Sequence, residues 1–123
     1  MAKAIIGITD WGKSRGSLLD VARRFDAGER LPESDYLLNF PDPIAMLEAM
    51  PPKRLETMRT IKSIGPISIY ALAKHVGRNY SNVHADVQRL IELGLAEKDE
   101  TGRVLIPWED VVVRIDSSLV AAA

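Results

Sequence analysis

Between Leu55 and Ile91 apolar side chains recur every three or four positions, whereas toward both ends of the chain they run together in short β-branched clusters. The first pattern predicts helices and the second predicts strands. Ala4 to Thr9 reads as a strand leaving through Asp10-Trp11-Gly12. Ser17, Leu18, Val21, Ala22 and Phe25 then predict a helix that stops at Gly28. After a polar stretch, Tyr36 to Phe40 reads as a second strand, and Pro43 opens a short helix through Met50.

Pro51-Pro52 marks a boundary, because neither proline continues the preceding helix and the second suits the first turn of a new one. Beyond it, Leu55, Met58, Ile61 and Ile64 form a helical stripe ending at Gly65-Pro66. Ser68 is a candidate N-cap for a helix carrying Ile69, Leu72, Ala73 and Val76 and closed by Gly77. A third helix is predicted over 80–93, with Val83, Val87, Leu90 and Ile91 inward and Gly94 as its stop. Leu95 to Lys98 and Arg103 to Pro107 flank Asp99-Glu100-Thr101-Gly102, the signature of a β-hairpin. Val111 to Ile115 reads as a further strand.

The expected architecture is α+β: a winged helix-turn-helix over 51–116, preceded by a strand-helix-strand extension over 1–50 and followed by a frayed tail, 117–123. The extension is a candidate element for dimerisation or for a protein partner.

Charge sharpens this picture. The chain as a whole carries a formal charge of −1, yet Lys53 to Arg89 holds seven basic residues against two acidic ones, +5. Leu90 to Asp116 has three against seven, −4. A basic segment that ends in an amphipathic helix is suited to phosphate and base edges. On that helix Ser81, Asn82, Ala85, Gln88 and Arg89 project away from the apolar face and are the candidate base readers. Arg78 and Asn79 stand at its N-terminal end, where the helix dipole favours phosphate. Lys53 and Arg54 extend the basic flank. The hairpin offers Lys98 and Arg103 only at its shoulders, because its tip is acidic, so the wing is expected to add little affinity.

The expected function is sequence-specific binding of double-stranded DNA by a homodimeric transcriptional regulator, with helix 80–93 in the major groove. The alternative is a protein-interaction module that uses the same fold to dock a partner. An enzyme is not expected, since there is no phosphate loop, no His-Glu metal spacing and no nucleophile motif. Nor is a cofactor or metal: the chain has no cysteine and two histidines, His75 and His84, without neighbouring ligand residues. Trp108 is expected to pack at the edge of the core. The absence of cysteine and of an apolar targeting or membrane-spanning run points to a cytoplasmic protein with no membrane association.

Pro52-Lys53-Arg54-Leu55, Gly65-Pro66, the run from Gly77 to Val87 and Glu92-Leu93-Gly94-Leu95 together resemble a family of predicted winged helix-turn-helix transcriptional regulators of archaea and bacteria, MarR- and ArsR-like in fold and suggested to include antitoxins. The resemblance implies autoregulated DNA binding and a toxin protein as a further partner. Phe40-Pro41-Asp42-Pro43 extends the likeness more loosely into the first half. Asn79 and Ser81 depart from the family pattern, which often has an acidic and a basic residue there, so base preference does not carry over.

Overall fold

The computed structural model describes residues 2–8 and 35–115. It divides into two compact units, one drawn from 1–49 together with 109–123, the other spanning Met50–Trp108. The helix expected over 17–28 and the tail from 117 lie outside the described residues.

In the first unit, β1 (Ala4–Ile8) is the middle strand of a three-stranded parallel sheet, flanked by β2 (Tyr36–Phe40) and by β5 (Val111–Val113). A central parallel strand is covered on both faces, which explains why AIIGI is uniformly apolar or small. β2 alternates instead, with Tyr36, Leu38 and Phe40 partly covered and Leu37 and Asn39 exposed. Asp42 caps α1 (Pro43–Ala49) by accepting the Ala45 N–H at 2.8 Å, and Pro43 takes the first helical position, where no donor is needed. Met46 is the buried residue of α1.

The strand expected at 111–115 therefore forms, but it pairs with β1 in the order Ala4–Val111, Ile5–Val112, Ile6–Val113. Segment 51–116 divides at Trp108 rather than forming one unit. Three consecutive valines specify an extended backbone without naming a partner.

The second unit is helix, helix, turn, helix and hairpin. Pro52 starts α2 (Pro52–Ile64), which ends where Gly65, at φ 87°, turns its N–H back to Ile61 O. Ser68 caps α3 (Ile69–Val76) by accepting the Ala71 N–H, and Gly77 closes it in the left-handed conformation at φ 68°. α4 (Tyr80–Glu92) follows after two further residues. The hairpin joins β3 (Glu97–Lys98) to β4 (Val104–Leu105), and Ile67 exchanges two backbone hydrogen bonds with Val104, at 3.1 and 2.8 Å, adding a third rung from the α2–α3 connection. This is a winged helix-turn-helix.

Its core is Ile61, Leu72, Val83, Val87, Leu90, Leu95 and Val104, each without solvent exposure. Full burial of one such side chain is worth about 1.5–3 kcal/mol, so this shared core fixes α4 against the other helices. Ile64, expected to complete the stripe of α2, is 43% exposed, since that helix's buried face ends at Ile61. Trp108 closes the unit by donating its indole N–H to Gly94 O at 3.0 Å while its own carbonyl accepts from Lys62 Nζ at 2.6 Å. No helix among the described residues is long and apolar enough to cross a membrane.

Candidate nucleic-acid interface

α4 is held by one face and offers the other. Val83, Val87 and Leu90 turn inward, while Ser81, Asn82, Ala85 and Arg89 are exposed and Gln88 is half-buried. At 100° per residue, Ser81, Ala85 and Gln88 lie opposite the buried stripe, with Asn82 and Arg89 on one flank. Small side chains at Ser81 and Ala85 allow close approach to a surface, and Asn82 and Gln88 bring paired donors and acceptors. Arg89 Nη1 reaches Glu92 Oε2 at 3.2 Å, both side chains being well exposed. An exposed pair of this kind is worth at most about 1 kcal/mol, so an incoming acceptor can draw the guanidinium away.

The structure gives the other expected site residues different work. Asn79 is the N-cap of α4, and its side-chain oxygen accepts the Ser81 N–H at 2.8 Å. Arg78 and Arg54, both expected among the DNA contacts, meet Asp86. Arg78 Nη1 donates to Asp86 Oδ2 at 2.6 Å and to Thr57 Oγ1 at 3.0 Å, and Arg54 Nε donates to Asp86 Oδ1 at 3.0 Å. Asp86 is 6% exposed, and a carboxylate so placed requires cationic partners. This network ties the middle of α4 to α2 and to the turn between α3 and α4, and it orients the reading face rather than belonging to it. Lys53, by contrast, is exposed at the start of α2, and Lys98 and Arg103 are exposed on the hairpin.

The acidic hairpin tip has a structural reason. Asp99 Oδ1 accepts from the Thr101 N–H at 2.8 Å, the Thr101 hydroxyl at 2.7 Å and the Arg103 N–H at 3.0 Å, so the carboxylate organises the turn. The Thr101 hydroxyl foremost, with the two backbone N–H groups and the nearby Arg103 charge, holds the Asp99 carboxyl below its ordinary pKa against the opposing effect of desolvation.

Sequence reasoning passed over Asp86 and Thr57. The spacing carried a signal, since Asp86 falls among Val83, Val87 and Leu90 on the inward stripe, where an acid without a partner is untenable. It also passed over two exposed aromatic residues. Tyr80 is 49% exposed and meets His84 with ring centroids 5.9 Å apart, and Tyr70 is 61% exposed with Lys74 Nζ 4.6 Å from its ring centre. His84 is thus a flank contact of α4. No group of three or more potential metal ligands occurs among the described residues.

Residues 49–113, more than half of the chain, match the model of the HVO_A0114 family. The chain belongs to the HVO_A0114 family. Within this family member the matched stretch takes in the whole winged helix-turn-helix and continues to the end of β5. Among solved structures, the crystal structure of a MarR-like transcriptional regulator from Thermotoga maritima is similar at 21% identity and a TM-score of 0.42. That match covers 80% of this HVO_A0114 chain and 65% of the other, so the chain spans somewhat less than two thirds of that regulator's length. No curated protein matches.

Proposed function

We propose that this HVO_A0114-family protein is a sequence-specific DNA-binding transcriptional regulator that lays α4 in the major groove of double-stranded DNA. The observation that carries the reading is the exposed polar face of α4, with Ser81, Asn82, Ala85 and Arg89 presented by a helix whose opposite face is fully buried. Gln88 lies on the same face. Asn and Gln suit adenine and Arg suits guanine, each bidentate pair contributing about 1–3 kcal/mol of discrimination. Lys98 and Arg103 supply backbone contacts at the edges, Asn79 acts through α4's position, and no cofactor is required. The regulator works in the cytoplasm as a homodimer whose α4 helices address half-sites about 34–36 Å apart.

Selection of genomic fragments by the purified protein at two salt concentrations tests this directly. A shared near-palindromic sequence is expected, with Asn82→Ala and Arg89→Ala each weakening its binding by about 5- to 150-fold. Unchanged affinity and unchanged salt dependence in both variants would remove α4 as the reader.

A second reading, protein docking of the antitoxin kind, draws on the first unit. Leu37 on β2 and Ile44 and Leu47 on α1 are 59%, 58% and 48% exposed, and apolar side chains left in water favour a contact with a second copy or another protein. Light scattering of the full chain and of Leu37→Ser with Leu47→Ser distinguishes the two uses: self-association lost in the variant assigns this surface to the homodimer. A monomeric wild type that co-purifies stoichiometrically with a neighbouring gene product assigns it to a partner.

A further inference from the structure

A cavity of roughly 350 Å³ opens on the second unit between the first half of α2, the end of α3 and the turn before α4. Lys53, Glu56, Thr57, Arg59, His75 and Arg78 contribute to its lining. Lys53, Arg59 and His75 are exposed, and none of their side chains has a carboxylate partner or another hydrogen bond among the described residues. Arg78 differs from these three, for its Nη1 is fixed by Asp86 and Thr57, while its Nη2 and Nε have no protein acceptor among the described residues. A guanidinium carries five N–H donors, so the fixed group still has donors to give.

The threonines contribute rigidity. Thr57 Oγ1 donates to Lys53 O and Thr60 Oγ1 to Glu56 O, each at 2.9 Å, so neither hydroxyl proton competes with the cations for a ligand. Glu56 is the single carboxylate of the lining. An immobilised guanidinium with lysine, arginine and histidine around it matches a tetrahedral oxyanion in charge and in donor directions, and matches an apolar or cationic ligand in neither.

We propose that this cavity is a phosphate seat, with Arg78 as its fixed floor and Lys53, Arg59 and His75 as the donors that close on the oxyanion. The phosphate comes either from the DNA backbone beside the groove occupied by α4 or from a free phosphorylated anion. The first source rests on the DNA reading given above, and the second does not.

The full chain, wild type and Lys53→Gln/Arg59→Gln, is titrated with pyrophosphate at constant ionic strength while backbone amides are followed by NMR, with sodium chloride as the reference. In parallel its affinity for the selected duplex is measured across a salt series. Both replaced side chains are exposed and outside the Asp86 network, so the variant retains the wild-type fold, which its amide spectrum verifies. Saturable shifts centred on residues 57–60 and 75–78, lost in the variant, support the seat with a free anion as ligand. A salt slope lowered by about one per removed charge, with base preference unchanged, supports it with backbone phosphate as ligand. The seat is overturned if pyrophosphate produces only the drift seen with chloride and the variant leaves the salt slope unchanged. If the wild type binds no duplex, the reading of α4 fails, and the pyrophosphate titration alone decides the seat.

Discussion

Asp86 shows how one polar residue on an apolar stripe can be tolerated and useful at once. Its carboxylate is nearly enclosed, and Arg54 and Arg78 meet one oxygen each. Removing the acid leaves two partly buried cations facing one another, so Asp86→Ala is expected to cost about 3–5 kcal/mol, measured as a lowered urea midpoint. Replacing all three residues by apolar ones of similar size is expected to recover much of that loss, because the unpaired charges go together. Asp99 makes a pH prediction of the opposite locality. Its folded pKa lies below the ordinary 3.8, so its contribution to hairpin order is fully present above that value and is lost as pH falls through the depressed folded one. An NMR titration of the Asp99 carboxyl is expected to show this, and Thr101→Ala is expected to move the midpoint back toward the ordinary value.

At the scale of elements, the helix ends are local events and their strengths can be measured one by one. Gly77 holds φ 68°, and a Cβ there would meet nothing within 4 Å, so Gly77→Ala carries only the backbone cost of the left-handed region, about 1–2 kcal/mol. Ser68→Ala removes the cap of α3 and is expected to cost about 1 kcal/mol. Thermal unfolding of the two variants checks both, and a Gly77→Ala protein as stable as wild type would mean that the turn has another accessible conformation. Because caps and stops act over three or four residues, Ser68, Gly77 and Gly94 could be recognised from sequence, and the expected span of α4 differs from the observed one by a single residue at its end. Of the candidate readers, Ser81, Asn82, Ala85 and Arg89 are exposed as the helical period expects. Arg54 and Arg78 were not placeable in this way, since their roles depend on a carboxylate brought to them from α4.

For the whole molecule, the consequential fact is that the chain returns, after the winged helix-turn-helix, to the sheet in which it began. Ala4 N–H donates to Asp110 O at 3.0 Å and Arg114 N–H to Ile6 O at 2.8 Å, joining positions more than a hundred residues apart. Ending the chain after Trp108 is expected to raise hydrogen exchange at Ala4 sharply while the amides of Leu72, Val83 and Leu95, bonded within the second unit, keep their protection. Equal loss of protection in both units would show that they unfold as one. The sequence by itself determined the kinds and limits of the elements in the second unit, because periodicity, caps and glycine stops are short-range properties of the chain. Tertiary structure alone decided that Val111–Val113 joins β1, that Asp86 gathers Arg54 and Arg78, and that Lys53, Arg59 and His75 surround one cavity. Strand pairing and charge pairing are contacts between distant residues, and no local pattern of side chains names the partner.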